Sequence, residues 1–458
     1  MPVTDPTRRR LARLAVVVAL AMAPAVAAAQ SLPRIEGPLT LDEAVDRALV
    51  SNLRVRASAA EARTMDSMRR EAWAPFWPQV SANGYFADQR MAPNVYTSAG
   101  NTMARNYQVF NADQTRDANV TAMYPLFSGG RDYYTYRAAA RRAEAGREML
   151  KGSEIDAAMQ ARLDYVAAVR EAENARVTAD LLKDVDERLR IARQSFDAGR
   201  IPRYYVLRDE AEQANTVQMH AMATSRAEQA LLALKSTLGV DFASPITLAT
   251  RLEHRPSDLA GEDLERAVAR HPELRAAVRQ REAAEAEVRA AYGNYFPQVG
   301  ISYMYDWAVM RDRRWESQEE RMRMRADSSE GYSVGVVVTI PVFDGLMREN
   351  QVRTAKTKVE RAAQQERLVR QQIEKEARQA ALMFEAAERA VEASRKGLEQ
   401  AEEESRVVRE RFQAGRGIQL EVLDAQVTVT RARFNAVNAL ADYESARAMW
   451  LRGLGRVK

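Results

Sequence analysis

The side chains that carry covalent or metal chemistry are nearly missing from this chain. Its 458 residues hold no cysteine and only three histidines, His220, His254 and His271, far apart in the sequence. Disulfides, thiolate metal sites and a cysteine nucleophile are excluded, and a histidine-based metal or catalytic centre has nothing to assemble from. There is no Gly-x-x-x-x-Gly-Lys loop for a nucleotide and no nucleophile–base–acid set. An enzyme is not expected, nor any cofactor or metal. What remains is charge at particular places. Glu421 and Asp424 stand just past the turn Ala414-Gly415-Arg416-Gly417-Ile418, where first-turn acids favour a helix N-terminus.

The elements that position these groups occur twice. Pro125-Leu126-Phe127-Ser128-Gly129 recurs as Pro341-Val342-Phe343-Asp344-Gly345, and Phe196-Asp197-Ala198-Gly199-Arg200 as Phe412-Gln413-Ala414-Gly415-Arg416. Both pairs are offset by 216 residues, as are Val206-Leu207 and Val422-Leu423, and Leu238-Gly239 and Leu454-Gly455. Nearer the start of each half the offset is 219, since Trp77-Pro78-Gln79-Val80 matches Phe296-Pro297-Gln298-Val299. The chain is therefore read as a tandem duplication. The first repeat covers 30–240, with a hairpin near 79–127, a long helix near 130–197 and a return helix over 202–238. A linker follows over 241–261. The second repeat covers 262–458, with a hairpin near 298–343, a long helix near 346–413 and a return helix over 418–453.

The long helices carry a heptad. Ala380, Phe384, Ala387, Val391, Ser394, Leu398, Ala401, Ser405, Val408 and Phe412 alternate steps of four and three, and Leu182, Val185, Leu189, Ala192 and Phe196 repeat the register. A sustained 3.5-residue period predicts coiled-coil packing. At about 1.5 Å per residue each rod reaches on the order of 100 Å.

The strands carry a different period. Val299, Ile301, Tyr303, Tyr305, Trp307 and Val309 alternate with Gly300, Ser302, Met304, Asp306 and Ala308. Tyr332, Val334, Val336, Val338 and Ile340 continue the apolar set. An apolar, aromatic face opposite a small, polar one suits a lipid-facing barrel strand. The strands near 79–90 and 115–127 alternate less cleanly and are inferred mainly from the repeat. Residues 1–29 read as a signal peptide: Arg8, Arg9, Arg10 and Arg13, an apolar run from Leu14 to Val26, then Ala27-Ala28-Ala29. Without it the net charge falls from +5 to +2, so the basic composition does not argue for nucleic acid. No later stretch reaches the roughly 18 apolar residues of a spanning helix. Four strands cannot close a barrel; two copies give eight and three give twelve, and only the larger number leaves a lumen.

The duplicated helix–hairpin–long helix–turn–helix order, the Pro-[Leu/Val]-Phe-x-Gly after each hairpin and the Arg-Phe/Ser-Phe turn segments before each Val-Leu resemble the TolC family of outer membrane efflux proteins. The resemblance implies a mainly α fold with a transmembrane β-barrel: long coiled-coil α-barrel helices plus four strands per protomer, completed as a 12-stranded barrel in a homotrimer. It implies an outer membrane channel with a long periplasmic extension. Such a channel is the passive exit duct of a tripartite efflux pump or type I secretion system, and its partners are a periplasmic adaptor and an inner-membrane transporter. It places adaptor docking at the turns, on Gly199, Arg200, Gly415 and Arg416. It places a periplasmic gate on Glu421 and Asp424, with Arg416 beside Gly417, where the family's best-known form has an arginine. The charged loop 311–330 would lie at the cell surface as a solvated loop or a contact for lipopolysaccharide phosphate. A periplasmic coiled-coil adaptor that does not span the membrane is the other reading the sequence leaves open.

Overall fold

The computed structural model describes residues 33–35, 37–88, 114–254, 263–311, 327–414 and 416–457. The expected signal peptide, most of the loop 311–330 and Gly415 lie outside the described residues. The first half runs β1 (Gly37–Leu39), α1 (Leu41–Ser51), α2 (Leu53–Glu71), β2 (Gln79–Asp88), β3 (Gln114–Phe127), α3 (Arg131–Asp197) and α4 (Arg203–Leu238). The second runs β4 (Ile246–Leu248), α5 (Leu264–Arg270), α6 (Pro272–Gly293), β5 (Gln298–Arg311), β6 (Asp327–Thr339), α7 (Met347–Gln413) and α8 (Gln419–Gly453).

The heptad becomes packing. Val185, Leu189 and Ala192 on α3 are buried against α4, and Ala380, Phe384, Val391, Ala401 and Ser405 on α7 lie under α8. Small seam residues let these helices approach closely, and Phe384 meets the fully buried Tyr443 with ring centroids 5.3 Å apart. Near the other end, α2, α3, α6 and α7 lie side by side. Ion pairs stitch the last three, including Arg141 to Glu282 at 3.1 Å and Arg281 to Glu366 at 2.7 Å.

The short helices stack end to end. The C-terminus of α4 meets the N-terminus of α2: Asn52 Nδ2 donates to Thr237 O at 2.7 Å, while its Oδ1 caps α2 by accepting from the Arg54 and Val55 amides. Ser51 Oγ donates to Leu238 O at 2.5 Å. The repeat builds the same joint between α8 and α6, where His271 takes the place of Asn52. Gly239 turns the chain out of the first joint at φ +62°, and a Cβ there would lie 2.4 Å from Ser51 O. The 241–261 stretch read as a linker contains β4, which pairs in parallel with β1. Three-residue strands are too short to show a period. They clamp the core around Tyr165, whose hydroxyl donates to Leu39 O at 2.8 Å and accepts from the Thr250 amide at 3.0 Å.

The four longer strands form one antiparallel sheet in the order β2-β3-β5-β6. Its register opposes Val299 to Val338, Ile301 to Val336, Tyr303 to Val334 and Tyr305 to Tyr332. The same face continues over β3 with Tyr124, Ala122, Val120 and Ala118, and over β2 with Val80 and Ala82. Gly239→Ala is expected to lower unfolding stability by more than about 2 kcal/mol, from left-handed strain plus the backbone clash. Gly397→Ala, at a helix position with open space around it, is expected to gain roughly 0.5–1 kcal/mol. Denaturant unfolding of the detergent-solubilised variants reads both.

Candidate functional site: the hairpin turns and the uncovered sheet

Two regions carry the groups singled out in the sequence: the turns at the far ends of the long helices, and the sheet. Each turn ends its long helix the same way. After α3 the Arg200 amide reaches back to Ser195 O at 2.8 Å, with Gly199 at φ +69°. After α7 the Arg416 amide reaches Arg411 O at 2.9 Å. This six-residue closure needs a left-handed residue just before the donor, which is the reason for glycine there. The first turn is pinned by Ile201 against Leu189, Ala192 and Val206. Nothing lies within 4 Å of a Cβ built on Gly199, so that turn presents bare backbone outward.

Glu421 and Asp424 occupy the first turns of α8, both exposed. Among the described residues, neither they nor Arg416 form an ion pair. A Cβ at 417 would meet Glu421 Oε2 at 3.3 Å and the Phe412 backbone nitrogen at 3.3 Å, so the glycine lets the Glu421 carboxylate fold back over the turn. Among the described residues the Glu421 and Asp424 carboxylates have no ion-pair partner.

Sequence reasoning missed a buried charge cluster one or two turns away. Asp209 of α4 is nearly inaccessible, and Arg188 of α3 lies 3.7 Å from it. Arg188 Nη1 donates to Gln426 Oε1 of α8 at 2.9 Å. Asp209 Oδ2 and Arg188 Nε find no hydrogen-bond partner. Three helices from both repeats thus meet on an ion pair that is costly to bury. The signal was available: Val206, Asp209, Gln213, Thr216, His220 and Ala223 step by three and four, so Asp209 stands on a heptad seam where an apolar residue belongs. The polar seam continues with Thr178 Oγ1 and His220 Nδ1 at 3.2 Å.

Among the described residues nothing is packed over the apolar face of the sheet. Tyr332, Val334, Val336, Val338 and Ile340 are all exposed, with Val336 at 66%. The opposite face is more polar: Ser81, Asn83, Asn119, Thr121, Ser302, Asp306, Ser333 and Gly335, interspersed with exposed Tyr85, Met123, Met304 and Val337, and Asn83 Nδ2 donates to Asn119 Oδ1 at 3.0 Å. The outer edges of β2 and β6 pair with no described strand.

The outer membrane efflux protein family matches residues 44–240 and 264–455, one match per repeat. The chain belongs to that family. Its members are outer membrane channels and not enzymes. Among this efflux protein's relatives, BepC of Brucella suis, an outer membrane efflux protein, is 25% identical over 422 residues, covering 91% of this chain and 86% of BepC. CyaE of Bordetella pertussis is 29% identical over 337 residues, 70% of this chain and 64% of CyaE's own length. The fold matches the outer membrane channel CmeC of Campylobacter jejuni at a TM-score of 0.78 and 14% identity, over 91% of this chain and 85% of CmeC. In this efflux protein Arg188→Ala would leave the Asp209 carboxylate buried and unpaired. A loss of about 3–5 kcal/mol is expected, whereas Arg188→Met with Asp209→Leu should be close to neutral. Urea unfolding of the three proteins in detergent measures the difference.

Proposed function

We propose that three copies close the sheet into a twelve-stranded barrel and that the protein is the passive exit duct of a tripartite efflux pump or type I secretion system. The observation that carries this is the uncovered apolar sheet face beside two unpaired edges. In hydrocarbon each unpaired backbone group costs several kcal/mol, so an open four-stranded sheet is untenable there and a closed one is not. Strands of 10–14 residues fit a tilted span of the membrane. Val299, Ile301, Tyr303, Tyr305, Trp307, Tyr332, Val334, Val336, Val338 and Ile340 face outer membrane lipid. The polar face lines the lumen. The long rods carry the conduit down through the periplasm to a tip formed by the turns.

At that tip Gly199, Arg200, Gly415 and Arg416 receive a periplasmic adaptor, which joins the duct to an inner-membrane transporter that supplies the energy. Glu421 and Asp424, unpaired in their own chain, form a periplasmic gate as two rings of three carboxylates about the three-fold axis, with Arg416 of an adjacent copy as a candidate counter-charge. Rings of like charge attract cations and set selectivity. The buried Arg188–Asp209 pair and Gln426 hold α8 against the first hairpin while the gate is shut. The protein moves small molecules or proteins without choosing among them; the transporter chooses.

Replacing Glu421 and Asp424 together with alanine should raise single-channel conductance in planar bilayers and lower cation selectivity. Unchanged conductance and selectivity would remove both from the gate. Gly199→Trp should abolish crosslinking to the adaptor, and Gly199→Asn, which tolerates the left-handed backbone, should keep the turn and most of the crosslinking. Full crosslinking by the tryptophan variant would move docking elsewhere.

A further inference from the structure

The two helix joints made by the repeat differ in one residue with a chemical consequence. Asn52 and His271 occupy equivalent caps with almost the same backbone, φ −59° and ψ 127° against φ −61° and ψ 129°. Asn52 does two jobs at once. Its amide nitrogen donates to the end of α4 and its oxygen accepts from the start of α2. His271 does one. Its Nε2 lies 3.3 Å from Arg452 O at the end of α8, and because a carbonyl only accepts, Nε2 carries the hydrogen. The other ring nitrogen, Nδ1, is buried with no partner, and the residue is 2% exposed. Pro272 and Gly455 close the ring in, a Cβ at 455 lying 3.3 Å from His271 Cδ2.

The charges around the ring are already committed. Glu273 on its own helix, Asp156 on α3 and Glu376 on α7 all bind the Arg452 guanidinium of α8, Asp156 at 2.6 Å and Glu273 at 3.3 Å. Burial opposes the charge on Arg452, and these carboxylates overcome it and raise its pKa. A proton added to Nδ1 would find no hydrogen-bond acceptor, and the carboxylates that would favour it, Glu273 and Asp156, are already bound to the Arg452 cation.

We propose that His271 makes the α8–α6 joint proton-responsive: neutral imidazole holds the two helices end to end, and its protonation loosens them, while the Asn52 joint stays indifferent to pH. Burial depresses the His271 pKa below the ordinary imidazole value, against the pull of Glu273. The unfolded chain then takes up the proton first. The joint's stability is complete above about pH 6.5 and is lost as pH falls from there toward the folded value. Because α8 carries Glu421 and Asp424 at its other end, external acid would reach the gate through its far support; that consequence rests on the duct reading, and the joint itself does not.

Amide exchange in the purified full-length protein at pH 7.5 and 5.5, corrected for intrinsic rates, tests the joint directly. Protection over 450–457 and 275–276 should fall at the lower pH, by up to about tenfold or about 1.4 kcal/mol, the ceiling for one imidazole, while 236–240 should not change. His271→Asn, which copies the other joint, should abolish that fall and reduce the loss of thermal midpoint between the two pH values. The exchange experiment on the unmodified protein stands even if the variant folds poorly. Equal pH dependence at both joints, or an unaltered fall in His271→Asn, would overturn the proposal. Neither outcome depends on channel activity, so a failure here leaves the duct reading untouched.

Discussion

Backbone hydrogen bonding is the constraint on which the rest depends. The sheet satisfies its interior groups through three antiparallel ladders, and among the described residues no strand pairs with the outer edges of β2 and β6. Water would satisfy those edges; hydrocarbon would not. The uncovered face of Val, Ile, Tyr and Trp belongs in hydrocarbon. In the proposed duct both demands are met when the edge of one copy becomes the partner of the next. Such closure would position the helices as well, because α3 and α7 start within a few residues of β3 and β6 and would continue the barrel wall as rods.

The duplication explains why one short set of devices suffices. The same glycine-ended closure terminates α3, α4, α7 and α8, and the same end-to-end stacking extends the short helices beside the long ones. Where the two halves depart from each other, function is the reason to look: His271 for Asn52, Gly417 with Glu421 folded over it, and the acidic first turns of α8 against Arg208 in α4. The buried Arg188–Asp209 pair ties the halves together. Its desolvation makes it a poor source of stability and a marker of register between the helices it joins.

Much of this was legible in the sequence. The alternation in β5 is clear because its two faces differ, and the heptad in α7 includes the buried Ala380, Phe384, Val391, Ala401 and Ser405, while Phe412 at its end is exposed. The first-half strands read poorly because Ala118 and Ala122 stand where a larger apolar residue would show the period; the register places them beside Trp307 and Tyr303, which supply the bulk for both strands. Asp209 was hidden by its charge, which suggests a surface until the seam is counted. β1 and β4 left no trace, since three residues make no period and their pairing spans more than 200 residues of chain. Among the described residues the Arg416 side chain meets no acid, so spacing alone supports its place in the proposed gate.

The central claim is that a single chain holds one third of a barrel. The most direct measurement is the mass of the mature protein extracted from outer membranes in mild detergent, by light scattering with the detergent subtracted. Three protomers is the predicted result. A water-soluble monomer, or a detergent-free dimer with its sheet faces packed together, would contradict it.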